Sequence, residues 1–143
     1  MKIEGENKMP LCKFCEENHL ELRHETKRVT LKGIEVEYDH KFFYCPDLEE
    51  EFEEGDLIDE NLNAARNAYR KKVSLLTSDE IKAIRDRFSL SQKDLAVLLE
   101  MGEVSITRIE TKLIQDKTTD DTIRRLVEDP IFLLNKLEKA KEK

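Results

Sequence analysis

Three cysteines carry the most distinctive chemistry in this chain of 143 residues: Cys12 and Cys15, two residues apart in a C-x-x-C, and Cys45 after 29 intervening residues. Thiolates are zinc ligands, and a C-x-x-C with a distant third sulfur lies close to the pattern of a tetrahedral site built on two knuckles. Such a site wants a fourth sulfur at position 48, where this chain has Leu48. The expected ligand set is therefore Cys12, Cys15 and Cys45 with His19 in fourth place, Asp47, His40 or a water being the alternatives. A β unit of about 40 residues has too little core to fold alone, so bound metal would supply missing folding energy. The competing reading keeps the three cysteines as small buried hydrophobes. Thiol catalysis is not expected: no βαβ context surrounds the C-x-x-C, and no His base is visible for a nucleophile, so the chain reads as a non-enzyme.

A second constellation lies in the C-terminal half. Thr77-Ser78-Asp79-Glu80 has the form of a capping box and opens a helix with Ile81, Ile84 and Phe88 on one face. Ser91-Gln92-Lys93-Asp94 repeats the device before Leu95, Ala96, Leu98 and Leu99, and Gly102 offers a permissive turn. The following helix has Val104, Ile106 and Ile109 as its expected packing positions, with Ser105, Thr107 and Arg108 between them. Two short helices about a tight turn are what a DNA-reading helix-turn-helix requires, the second presenting its N-terminal half to base edges. Gln92 is placed to donate to a phosphate and Arg108 to fork onto guanine or a phosphate, while Ser105 and Thr107 are small enough to lie against the groove. Lys93 and Lys112 complete the expected contact set, and Glu103 is the awkward member because a carboxylate repels phosphate. The alternative is an ordinary helical bundle with a solvated Arg108 and Lys112.

The elements that would position these groups follow from composition. Residues 27–44 alternate in places (Val29, Leu31, then Ile34, Val36, Tyr38), with Lys32-Gly33 between them as a hairpin turn. An acidic run from Asp47 to Glu60, nine carboxylates in fourteen residues, reads as a connector passing into a helix from Asn61 to Lys72. Phe52, Leu57 and Ile58 would be its apolar anchors for a partner. From Leu75 onward the pattern is helical, and Asp129-Pro130 opens a last helix with Ile131, Phe132, Leu133, Leu134 and Leu137, more apolar residues than one stripe needs. They would close the core or join two copies across a two-fold axis. Residues 1–75 carry 12 basic and 18 acidic side chains and residues 76–143 carry 13 and 14, so DNA contact belongs to the second part. A formal charge of -7 argues against binding nucleic acid by bulk charge alone. An odd cysteine count and no long apolar run point to a cytoplasmic protein without a membrane span.

Taken together, Cys12-x-x-Cys15, Cys45, Ala68-Tyr69-Arg70-Lys71, Leu90 to Ala96, Gly102 to Glu110 and Ile114-Gln115-Asp116 resemble MqsA-family antitoxins over most of the chain. The resemblance implies a zinc-binding N-terminal domain and a repressor-like helix-turn-helix domain that dimerises. It also implies neutralisation of a cognate toxin, usually a small ribonuclease, and repression of the chain's own operon. The family's DNA contacts carry over to Gln92, Ser105, Thr107 and Arg108, and an acidic residue is usual at the place of Glu103. Two departures stand out: Leu48 replaces the fourth cysteine, and Glu100 stands where such turns usually have Gly. A basic ribonuclease surface would be steered by the acidic run.

The expectation is thus an α+β chain. Residues 1–60 form a β-rich, zinc-ribbon-like, toxin-interacting unit with its acidic connector. Residues 61–143 form a linker helix and an all-α helix-turn-helix domain that binds operator DNA as a homodimer. A stand-alone regulator without a toxin partner is the second reading.

Overall fold

The computed structural model describes Cys12 and residues 20–141, and within them the chain is α+β, with one three-stranded antiparallel sheet and six helices. Contacts cluster into two units, Met1–Ala65 and Arg66–Lys143, with the boundary inside a continuous helix. No helix among the described residues is long and apolar enough to cross a membrane.

In the first unit, β1 (Glu21–Leu31) and β2 (Ile34–Cys45) form a hairpin in unbroken register from Glu21↔Tyr44 to Leu31↔Ile34. Its two-residue turn is Lys32-Gly33, both left-handed at φ 50° and 81°, the combination whose twist suits a tight hairpin. The expected alternation holds on β2, where Val36, His40 and Phe42 are buried while Glu35, Glu37, Asp39 and Lys41 are exposed. β1 is an edge strand, exposed throughout Glu21–Arg28, and its charges face water.

The acidic run is not the connector that its charge implied. Glu50–Phe52 forms β3, which pairs with the end of β2 through Phe43↔Phe52 and Cys45↔Glu50, and α1 (Asp56–Lys72) begins four residues later. Carboxylates are tolerated in this edge strand because Glu50 and Glu51 stay exposed, and Asp56 and Asp59 suit the positive end of a helix dipole. Of the three expected partner anchors, Leu57 is buried and Phe52 packs on the cysteine cluster, leaving only Ile58 exposed. Asn61 then joins α1 to the sheet. Its carboxamide accepts from Lys41 N–H at 2.8 Å and donates to Lys41 C=O at 2.7 Å, as a neighbouring strand's peptide would.

In the second unit, α2 (Ser78–Arg87), α3 (Gln92–Leu99), α4 (Glu103–Thr111), α5 (Lys117–Glu128) and α6 (Pro130–Lys141) enclose a core of Leu76, Ile81, Leu95, Ala96, Ile106, Ile109, Ile123 and Leu126. Both expected capping boxes are formed, Thr77 with Glu80 and Ser91 with Asp94. Asp129 caps α6 by accepting from the Ile131 and Phe132 N–H groups.

The element ends are tied by Arg70, which is fully buried. Its guanidinium donates to Gln115 Oε1 (3.0 Å), Asn67 Oδ1 (2.8 Å), Ile109 C=O (2.7 Å) and Leu113 C=O (2.6 Å). Burial, helped by Arg66 and opposed by Asp120, lowers its pKa to about 10, so it stays charged at neutral pH. Gln115 passes the link on, donating to Leu76 C=O at 2.8 Å and to Asp120 Oδ1 at 2.9 Å. Asp120 also accepts from Leu76 N–H and from Arg124 Nε, both at 2.8 Å. Although burial alone would raise the Asp120 pKa, these donors hold it below the ordinary carboxylate value.

Replacing Arg70 with Met takes its donor from all four acceptors, two of which, Gln115 Oε1 and Ile109 C=O, are deep in the interior. We expect Arg70→Met to cost about 3 kcal/mol of unfolding free energy, while Lys71→Ala, on the exposed neighbour, stays within about 0.5 kcal/mol. Urea titration of both variants checks this, and equal midpoints would contradict it.

Candidate nucleic-acid interface

α3 and α4 are eight and nine residues long and are joined by Glu100, Met101 and Gly102. The left-handed residue of this turn is Glu100, at φ 59° and ψ 44°, the position where Gly is usual. Gly102, the permissive residue of the turn, sits at φ -79° as the residue before α4, with no side-chain cap. A side chain at Glu100 carries a steric cost in this conformation, but its carboxylate reaches Lys136 Nζ (2.9 Å) and Lys139 Nζ (3.3 Å) on α6. Those two hydrogen bonds hold its pKa below the ordinary value.

Orientation of the helix pair depends on Glu110, which is 1% exposed. Arg85 on α2 forks onto both its oxygens, Nε to Oε2 at 2.7 Å and Nη2 to Oε1 at 3.0 Å. The remaining Arg85 nitrogen, Nη1, donates to Leu90 C=O in the loop before α3. Donation to the Glu110 carboxylate raises the Arg85 pKa further. Gln92, at the start of α3, donates to Glu110 Oε1 at 2.9 Å and accepts from the Thr107 hydroxyl at 2.8 Å. One fork thus fixes three helices. Gln92 keeps one amide hydrogen beyond these bonds, enough for a single outward donation.

α4 buries Ile106, Ile109 and Glu110 and turns Glu103, Val104, Thr107, Arg108 and Thr111 outward. Val104 is a correction: read as a packing position, it is 59% exposed because the buried stripe runs through 106, 109 and 110. Ser105 is half-buried, and Lys93 and Lys112 are exposed at the second helical residue of α3 and the C-cap of α4. A shallow groove on this face is lined by Glu103, Val104, Thr107, Arg108, Thr111 and Lys112. Among the described residues, the side chains of Lys93, Arg108 and Lys112 find no hydrogen-bond or ion-pair partner within the chain. Three cations are therefore available to an anionic ligand beside a polar, short-chained surface.

The proposed zinc ligands are described only in part. Cys12 and Cys45 are 1% and 0% exposed and lie in one cluster with Leu20, against which Phe43 and Phe52 pack. Two sulfurs gathered in a sheltered pocket are the donor chemistry that zinc takes. Cys15 and His19 lie outside the described residues, and no group of three His, Cys, Asp or Glu side chains gathers among the described ones. His40 does not serve as the alternative ligand in this arrangement, since Nδ1 meets the Tyr38 hydroxyl at 3.0 Å and Nε2 meets Glu53 at 3.1 Å. Leu48, at the place of the missing sulfur, is 41% exposed.

Periodicity located both helices but missed the residues that orient them. Arg85, Glu110 and Arg70 are ordinary charged positions in a helical pattern, and only their distant partners distinguish them from solvated ones. A scan against protein-family models finds no match for the chain, and neither does a search of curated proteins.

Proposed function

We propose that the chain is a cytoplasmic antitoxin and autorepressor: its C-terminal unit reads operator DNA through α4, and its N-terminal unit occupies a cognate toxin. The observation that carries the DNA reading is the outward face of α4, where Arg108 is unpartnered within the described chain and follows Thr107, which with Glu110 holds Gln92. A guanidinium that no carboxylate neutralises is free to fork onto guanine or clamp a phosphate, and a fixed Gln92 sets register on the backbone. Lys93, Lys112 and Ser105 lie on the same two helices and add phosphate contacts. Held beforehand by Glu110 and by each other, Gln92 and Thr107 lose little freedom on binding.

A two-fold operator calls for a homodimer. Ile131, Leu134 and Leu137 on α6 are 70%, 58% and 36% exposed, while Phe132 and Leu133 between them pack on the core. The five apolar residues therefore divide between core and surface, and the exposed three supply an apolar face for a second copy.

Toxin neutralisation rests on the resemblance to MqsA-family antitoxins and on charge. All nine carboxylates of residues 47–60 are exposed, a concentrated negative surface suited to a basic RNA-binding protein. Zinc, held by Cys12, Cys15, Cys45 and a fourth ligand such as His19, would stabilise the small β unit and take no part in chemistry.

Two outcomes check this reading. Arg108→Ala should cost about 1–3 kcal/mol of affinity for the duplex upstream of the chain's own gene; an unchanged gel-shift titration would remove Arg108 from the contacts. Elemental analysis of the full chain should find about one zinc, lost in Cys45→Ser, with chelation melting the hairpin unit first. A cooperative melt indifferent to chelator would contradict a structural metal.

A further inference from the structure

Val104 is an exposed β-branched side chain in a groove otherwise lined by polar residues, Glu103, Thr107, Arg108, Thr111 and Lys112. It is 59% exposed, in the first turn of α4, and Thr107, Arg108 and Thr111 continue the same stripe three, four and seven residues on. Nothing in the fold asks for it: the core stripe of α4 is complete with Ile106 and Ile109, and β-branching lowers helix propensity. The polar capacity of its neighbours is largely committed. Thr107 donates its hydroxyl to Gln92 Oε1 and Thr111 donates its own to Thr107 C=O, so neither proton is free to report a base. Hydrogen-bonding readout from this stripe falls to Arg108, with Glu103 at the helix start, and what remains beside them is a pair of methyl groups.

On the reading of α4 as a DNA-binding helix, we infer that Val104 is a specificity-determining residue that packs on the 5-methyl group of a thymine in each half-site. In the major groove that methyl is the one apolar mark a base pair displays, and an aliphatic side chain recognises it by exclusion of water. The first turn of the second helix is the part that approaches base edges most closely, which is where Val104 stands. Arg108, one turn further, would take a guanine a short step along the same groove, so the half-site combines a thymine with a nearby guanine. Glu103, adjacent to Val104, repels phosphate and disfavours a shift of the helix toward the backbone, which keeps the valine over the bases.

The test uses the full chain and a duplex enriched by it from a random pool. Each thymine is replaced in turn by deoxyuridine, which removes the methyl and nothing else, and binding is titrated for the wild type and for Val104→Ala. One position per half-site should weaken the wild type about fourfold, the worth of one buried methyl, and the same change should leave Val104→Ala unaffected. Circular dichroism should show both proteins equally helical, because the substituted side chain is exposed. Selective binding in which every deoxyuridine duplex affects the two proteins alike would overturn the role of Val104 while leaving DNA reading intact. A pool that yields no enriched duplex would overturn both.

Discussion

A guanidinium cannot be left dry without partners, and the second unit of this protein is organised by meeting that demand. Arg70 places four of its five N–H donors on acceptors from three separate stretches of chain. Those stretches are the end of α1, the end of α4 and the loop that leads into α5. Gln115 then couples this charge to Asp120, so that a cation and an anion are satisfied through one amide rather than by direct contact. Removing a member exposes the others to an interior without water, which makes the network an all-or-none commitment. Such arrangements specify one geometry more than they add stability. The apolar core, made largely of interchangeable Ile and Leu, supplies the driving force.

The same logic recurs on the α2–α4 side with a direct ion pair. Arg85 on α2 and Gln92 at the start of α3 converge on Glu110 near the end of α4, so α4 cannot rotate about its axis without breaking charge-assisted bonds. A rotation of one residue, about 100°, would bring part of the buried stripe of α4 to the surface and turn part of its exposed stripe inward. Two buried carboxylates, Asp120 and Glu110, thus tie α5 to the segment before α2 and set which face α4 offers. Both lie well inside the second unit, whereas the carboxylates of residues 47–60 are all exposed. In this chain buried acids are structural and exposed acids form a surface, a division that total charge does not reveal.

How much was legible follows from the range of each interaction. Capping boxes at Thr77 and Ser91, the Asp129-Pro130 start and the Lys32-Gly33 turn are settled by residues within three positions of one another, and each forms as its pattern implies. β3 was hidden because a three-residue edge strand with both glutamates in water has no alternation to detect. Arg70 and Gln115 are 45 residues apart, and Arg85 and Glu110 are 25, so no local pattern joins them. Val104 shows the limit of periodicity: Val104, Ile106 and Ile109 do not share one stripe, and only the position of the core decides which is left out. The turn is left-handed at Glu100, the place where such turns usually have Gly. Glycine's freedom at position 102 is real, but two lysines on α6 stabilise the rarer choice at Glu100.

An internally cross-braced helix pair with unpaired cations on its outward face is suited to the sequence-selective binding of DNA proposed for it. The most direct measurement is competition, at about 0.15 M salt, between the duplex upstream of the chain's own gene and a scrambled duplex of equal length. The expected result is a preference of at least about a thousandfold, the range in which base contacts add to phosphate contacts. Equal affinity for the two duplexes would contradict it, leaving α4 as one more solvated helix of a small bundle.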